Sequence, residues 1–332
     1  MVSEAEMSES ISTRLAWVAV DWGSSNLRAW AMDAGGAVLA EAEAARGMLG
    51  LAPADYEPAL LAVIGDWLPA EGRITVLVCG MAGARQGWRE APYRPVPTAL
   101  DALAEGAVSP AVEDARLDVR LLPGLCQGAD AGGFDVMRGE ETQLAGLAAL
   151  ESGVSGLVCL PGTHAKWATL DSGRVERFHT YMTGELYRLL AERSVLAHSL
   201  SEDDLEDSAC REAFSAAVAE AAAAPEAFTR TLFGLRAMDL LDDALPDGEA
   251  RGAVLAARLS GLAIGLELAG ACGELAAGQS VRLIGVEALC RRYALALSAL
   301  GHSSEIIANR RAVLAGLGLA HAALAHDALD HD

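Results

Sequence analysis

The residues with the most chemical potential sit at the ends of short apolar runs. Val18-Ala19-Val20 delivers Asp21 into a tight turn, Gly23-Ser24-Ser25-Asn26, and a second run begins at Leu27 with Arg28 close behind. Backbone N–H groups and hydroxyls in such a turn suit a phosphate, and an aspartate beside it suits a hydrated divalent cation. The plainer reading is a hairpin whose aspartate caps a turn. A second glycine turn, Pro161-Gly162-Thr163-His164, follows the apolar run 156–160 and leads to Lys166. Lys166 is the only lysine among 25 basic side chains, and Asn26 is one of two asparagines. Both scarce residues therefore fall in candidate motifs. A buried ammonium without an anion is costly.

Two further stretches carry candidate groups. Met137-Arg138-Gly139-Glu140-Glu141-Thr142 opens a predicted helix that runs to about residue 150. Adjacent helical residues diverge by about 100°, so Glu140 and Glu141 cannot face the same way. Glu140 shares a face with Leu144 and Leu147, where a carboxylate needs a partner or a role. Glu141 fits a first-turn surface glutamate favoured by the helix dipole. The other stretch is the glycine-rich loop 80–88, followed by Ala91-Pro92-Tyr93 and Arg94. Loops of this kind carry function more often than cores do. Arg85, Trp88, Tyr93 and Arg94 could line a pocket for a sugar or a carboxylate; the alternative is a plain surface loop.

The elements that must position these residues follow from periodicity. Strands are expected at 18–21, 27–32 and 37–44, joined in part by Gly35-Gly36, a hairpin signal. A helix over 54–68, a strand over 74–79, a helical connection over 98–118 and a strand over 119–122 complete the first half. Residues 155–181 repeat the opening pattern of strand, glycine turn, strand, turn, strand. Alanine-rich helices then run to about 275, broken near Pro225 and Pro246, before a strand at 281–284, a helix to about 300, a strand at 304–307 and a closing helix. This alternation is that of an α/β protein. The doubled pattern predicts two similar lobes, 14–150 and 151–332, after a disordered tail over 1–13, with the two glycine turns facing one another across a cleft.

The net charge of −21 argues against nucleic acid or an anionic membrane as partner. The acidic start lacks the apolar core of a signal peptide, and the apolar segment 253–272 carries Arg258 and Glu267, which reads as a buried helix. Six scattered cysteines without a C-x-x-C pair fit reduced thiols in the cytoplasm.

DWGSSNLRAW, GMAGARQGW with APY, PGLC, MRGEETQLAG, LPGTHAKW and MTGEL occur in that order. Together they resemble the 2-dehydro-3-deoxygalactonokinase (2-keto-3-deoxygalactonate kinase) family, over about residues 15–320. The resemblance implies a branch of the sugar kinase, Hsp70 and actin superfamily: two ribonuclease H-like lobes around an ATP cleft, with a helical segment over about 185–275 in the second. It implies ATP, Mg²⁺ and phosphorylation of the 6-hydroxyl of 2-dehydro-3-deoxy-D-galactonate in galactonate catabolism, with a homodimer as an allowed assembly. Asp21, Gly23, Ser24, Ser25 and Asn26 match the first phosphate motif, and Gly162, Thr163, His164 and Lys166 the second. Glu140 or Glu141 takes the place of the catalytic acid, Asp21 holds Mg²⁺ through water, and Gly285 begins the adenosine motif. Val286 and Glu287 depart from that motif, Asn309-Arg310-Arg311 stands where an acidic turn of small residues is expected, and His179 replaces a more usual arginine. For the substrate carboxylate, Arg85 is the first choice, with Arg28 and Arg138 as further candidates. A kinase for another sugar or sugar acid, or a nonenzymatic ATP-binding regulator, are the alternatives.

Overall fold

The computed structural model describes residues 11–275 and 279–329. Of the tail expected over 1–13, residues 11–13 belong instead to a helical turn over 11–14, and Leu15 N–H donates to Ile11 O at 2.9 Å. The rest of that tail lies outside the described residues. The chain forms two compact units. The first runs to Ser155 and takes in Leu170–Arg177 and the chain from Arg310 onward; the second is Gly156–Thr169 and Phe178–Asn309.

In the first unit the order is β1 (Trp17–Trp22), β2 (Leu27–Met32), β3 (Val38–Ala44), α1 (Tyr56–Ile64), β4 (Ile74–Gly80), β5 (Tyr93–Pro95), β6 (Thr98–Ala99), β7 (Leu117–Leu121), β8 (Gly124–Gln127), β9 (Asp135–Met137) and α2 (Glu140–Leu150). The main sheet has the order β3-β2-β1-β4-β7. β1 pairs antiparallel with β2 and parallel with β4. The strand β1 is covered on both faces, so it reads as a nearly continuous apolar run. Val18, Val20 and Trp22 pack into one core with Tyr56, Leu60 and Ile64 of α1. Trp17 and Ala19 point the other way, toward Val313 and Leu317. The helix expected over 98–118 is absent: the stretch holds β6, turns, and a bridge from Val108 to Leu121. Gly106 at φ 91° and Pro110 interrupt what the alanine-rich composition suggests.

After residue 155 come β10 (Gly156–Leu160), β11 (Ala165–Asp171), β12 (Arg174–Tyr181), α3 (Thr183–Arg193), α4 (Ser208–Ala223), α5 (Phe228–Leu241), α6 (Glu249–Ala271), β13 (Val281–Gly285), α7 (Glu287–Ala299) and β14 (Ser304–Ala308), all of the second unit except the end of β11 and the start of β12. Its strands lie in the order β14-β13-β10-β11-β12, with β13 parallel to both β10 and β14. Counted from its own first strand, this is the order of the first unit again. The helix α6 is long and apolar enough to cross a membrane by length and composition, but 78% of its most apolar stretch is buried in the protein. It packs on α4 through Gly261 and Gly265, where a Cβ would lie 2.3 Å from Phe214 O and 2.5 Å from Val218 O.

The last helix, α8 (Asn309–Leu329), corrects the expected division at residue 150, since from Arg310 it groups with the first unit. Two glycines explain why. A Cβ on Gly146 of α2 would lie 1.7 Å from Ala312 O, and one on Gly316 would lie 2.0 Å from Thr142 O. The helices thus meet backbone to backbone, and His321 stacks on Trp17 at 4.4 Å. We expect Gly146→Ala to destabilise the protein by about 1–3 kcal/mol or more, as overpacking does. Gly318→Ala, which meets nothing within 4 Å, should be neutral or stabilising by up to about 1 kcal/mol. Urea denaturation midpoints of the two variants in the opposite order would show that the helices do not dock this way.

Candidate active site

In the first unit, strand register assembles the acidic groups. Asp21, the fifth residue of β1, stands opposite Arg28 of β2 and Cys79 of β4. Cys79 Sγ lies 3.9 Å from Asp21 Oδ1. The loop before α2 reaches these strand ends because two glycines adopt backbone conformations closed to other residues. Gly80 has φ 91° and Gly139 φ 108°. A Cβ on Gly80 would lie 2.7 Å from Trp22 O, and one on Gly139 would lie 3.4 Å from Gly80 Cα. Burial pushes the Asp21 carboxyl up, the Arg28 charge pulls it back, and Glu140 adds to the rise.

The glutamates differ from the expected phase. Glu140 is half-buried, and its Oε2 accepts Arg138 N–H at 3.2 Å. Glu141 is no surface residue: it is 1% exposed. Its Oε2 accepts Gly139 N–H at 2.7 Å, and its Oε1 accepts Thr142 Oγ1–H at 3.2 Å. The covered face of α2 includes Thr142 and Ala145 as well as Leu144 and Leu147, because α8 closes over that side. Burial first, and the neighbouring Glu140 charge second, push the Glu141 carboxyl up to about 8.

The turn after Asp21 is closed by Gly23 N–H donating to Asn26 O at 2.8 Å. The segment after β3 clasps it from outside. Gly47 N–H donates to Ser25 O at 2.9 Å, Met48 N–H to Gly23 O at 3.1 Å and Leu49 N–H to Ser24 O at 3.1 Å. A Cβ on Gly47 would lie 2.2 Å from Ser24 O. Trp22 Nε1–H holds Arg46 O at 2.8 Å. Sequence reading missed Arg46-Gly47; its only signal was a lone glycine after a predicted strand. Ser24, Ser25 and Arg46 help to line a cavity of 570 Å³.

The loop residues expected to form a substrate pocket separate. Arg85 is 80% exposed and pairs with Glu90 at 3.3 Å, so it is not aimed into a pocket. Trp88 is half-buried, stacked on Tyr56 at 5.8 Å and edge-on to Trp22 at 6.0 Å, and it lines a separate cavity with Pro58 and Leu61. Arg138 is 9% exposed, lies 4.2 Å from the centre of the Tyr93 ring and donates to Ala91 O at 2.8 Å. It therefore ties the 91–93 segment to the turn that carries Glu140. Arg28 also pairs with Glu43 at 3.5 Å.

In the second unit, the Gly162-Thr163 turn is packed by Gly184, whose Cβ would lie 2.5 Å from Gly162 O. Glu185 N–H donates to Thr163 O at 3.0 Å, and the Glu185 carboxylate meets His164 Nε2 at 2.5 Å. Lys166 is 5% exposed, with Nζ 3.5 Å from His164 O. A Cβ on Gly285 would lie 3.3 Å from Pro161 O, so the two motifs adjoin. Gly162, Thr163, Gly184, Tyr187, Leu289 and Arg292 share a cavity of 330 Å³. Tyr293, which also lines that cavity, donates to the buried Glu267 at 2.8 Å; Trp167 Nε1–H donates to the same carboxylate at 2.6 Å. Val286 is 63% exposed. Among the described residues, no three His, Cys, Asp or Glu side chains cluster to hold a metal.

These motifs lie within a match to the family model for 2-keto-3-deoxy-galactonokinase that spans residues 21–320. The chain belongs to the 2-keto-3-deoxy-galactonokinase family. It is 42% identical to a probable 2-dehydro-3-deoxygalactonokinase of Rhizobium meliloti (strain 1021), covering 93% of this chain and 97% of that one. It is 36% identical to the 2-dehydro-3-deoxygalactonokinase of Escherichia coli (strain K12), covering 92% and 98%. The crystal structure of a candidate 2-dehydro-3-deoxygalactonokinase from Sinorhizobium meliloti superposes with a TM-score of 0.82 at 39% identity, covering 93% of this chain and 99% of that one.

The buried Glu141 of this family member makes a pH prediction. Its folded value of about 8 lies above the ordinary glutamate value of 4.5. Between those two values the unfolded chain ionises while the fold keeps its proton, so stability falls as pH rises and levels off above 8. Glu141→Gln removes that slope. The variant should gain on the parent by on the order of 1 kcal/mol per pH unit through this window. Urea denaturation at pH 5, 6, 7 and 8 measures it, and parallel curves would mean that Glu141 is ionised in the fold.

Proposed function

We propose that this chain transfers the γ-phosphoryl group of ATP to the 6-hydroxyl of 2-dehydro-3-deoxy-D-galactonate, giving the 6-phosphate and ADP, in the cytoplasm. Membership in the 2-keto-3-deoxy-galactonokinase family carries this reading. The repeated strand order of the two units supports a pair of ribonuclease H-like lobes, as in the sugar kinases, with α3 to α6 as the helical insertion of the second. All six cysteines are unpaired, which supports a reducing compartment.

In this reaction the bond from the γ-phosphorus to its bridging oxygen breaks and a bond to the substrate oxygen forms. ADP keeps the bridging oxygen, and the hydroxyl proton must go to a base. The transition state spreads charge over the transferred oxygens, so positioning and electrostatics do most of the work. Glu140 is the group proposed to take the proton: it is half-buried, beside Asp21, and on a turn held by Gly80 and Gly139. Glu141 suits that role less, since at 1% exposure it is sealed in the interior, held by Gly139 N–H and Thr142. In the second unit, Lys166 and the Gly162–His164 turn would offset phosphate charge. Gly285 and the cavity beside it would receive the nucleoside.

Mg²⁺ fits the residues present in one way. Asp21 sits where burial and Glu140 disfavour its charge, and a cation there relieves both. Asp21 would hold such an ion through water, as a single carboxylate beside a nucleotide's phosphates can. Such an ion supplies charge neutralisation of the phosphates.

A coupled assay across a panel of sugar acids and neutral hexoses tests this reading. ADP should form only with ATP and a 2-keto-3-deoxy sugar acid; turnover of ATP indifferent to added sugar acid would leave a nonenzymatic regulator as the better reading. Asp21→Asn should cut turnover about 100-fold or more in a protein that still folds. Glu140→Gln should cost far more turnover than Glu141→Gln, and the reverse order would exchange their roles.

A further inference from the structure

A substrate with a carboxylate needs a cation, and in a chain of net charge −21 most arginines are already committed. In the first unit Arg85 pairs with Glu90, Arg94 with Glu105, Arg28 with Glu43 and Arg310 with Glu41. Arg138 is folded under Tyr93. The guanidinium of Arg46 has no hydrogen bond or ion pair among the described residues, and neither has the hydroxyl of Ser24 or Ser25. All three residues line the cavity of 570 Å³ beside the first glycine turn.

The backbone around them is fixed where the side chains are not. Gly47, Met48 and Leu49 bond to the carbonyls of the Gly23–Ser25 turn, and Trp22 holds the Arg46 carbonyl. The guanidinium and the two hydroxyls are thus presented by two segments locked together. A planar fork with flanking hydroxyl donors suits an anion with two or more oxygens. The one acid on the cavity wall, Asp55, has its Oδ2 engaged by Ala52 N–H at 2.9 Å. Leu49, 79% exposed on the same wall, offers an apolar surface to a deoxygenated carbon.

We propose that Arg46, with the Ser24 and Ser25 hydroxyls, forms an oxyanion subsite that receives the carboxylate of the sugar-acid substrate. The subsite rests on the kinase reading for its ligand and replaces Arg85 as the anchor. The same donors would also accept a phosphate, so the test must separate the two sources.

Arg46→Ala removes an exposed side chain without a partner and should fold normally. We expect its KM for the sugar acid to rise about 10- to 100-fold, the equivalent of a charge-assisted hydrogen bond or two, with KM for ATP within about 2-fold. Arg46→Lys keeps the charge but loses the fork and should fall between. Arg85→Ala should leave both constants within about 2-fold. A rise in KM for ATP instead would assign the subsite to phosphate and overturn the carboxylate assignment. Unchanged constants for both substrates would overturn the subsite. Calorimetric titration of the same proteins with 2-keto-3-deoxygalactonate separates this from the kinase reading. Arg46-dependent binding without turnover would sink the kinase reading alone, and neither binding nor turnover would sink both.

Discussion

The first unit depends on the contact between two glycine backbones. Gly80 ends β4 and Gly139 precedes α2, both at positive φ; a Cβ on Gly80 would lie 2.7 Å from Trp22 O, and one on Gly139 would lie in ordinary contact with Gly80 Cα. No other residue allows that approach without strain. Three consequences follow from it. The turn carrying Glu140 reaches the strand end carrying Asp21, so two carboxylates share one region. Glu141 is driven into the interior, where Gly139 N–H and Thr142 hold it. Arg138 is drawn under Tyr93 and ties the 91–93 loop to the same turn. The acidic groups are thus set by backbone geometry.

That dependence explains which parts of the molecule were legible in the sequence. The strands were, because β1, β4 and β10 are buried on both faces and read as short apolar runs between glycines. The two glycine turns and the start of α2 were legible for the same reason. The division of the chain was not. The closing helix belongs with the first unit through contacts at Gly146 and Gly316, and a close approach of two helices far apart in sequence leaves no periodic signal. The helix expected over 98–118 fails because composition was weighed above Gly106 and Pro110.

Within the site, residue type was more legible than residue role. Glu140 and Glu141 stood out together, but helical phase alone placed Glu141 on the surface, since the face that α8 covers could not be known. Trp88 was grouped with Arg85 and Tyr93 as pocket lining, and in the fold it is the third ring of the cluster with Trp22 and Tyr56. Arg85 drew notice by its place after a glycine turn; exposure and Glu90 give it a surface role, where an ion pair contributes little. Arg46 drew none, because what distinguishes it is the partner it lacks, and partners are a tertiary property.

The second unit uses the same device with different chemistry. Gly184 lets the start of α3 press on the Gly162-Thr163 turn, as Gly47 lets its segment press on Ser24 and Ser25. Behind the turn, Trp167 and Tyr293 both donate to Glu267, whose carboxyl burial pushes up while those donors pull it down. A buried carboxylate with fewer donors would be costly, so the network fixes β11, α6 and α7 relative to one another. The turn therefore rests on a polar core that cannot shift without leaving a buried carboxyl unpaired. In both units a glycine permits close packing on the turn, locked by backbone hydrogen bonds in the first and backed by the Glu267 network in the second. That is why such turns can present N–H groups to a highly charged ligand without rearranging around it.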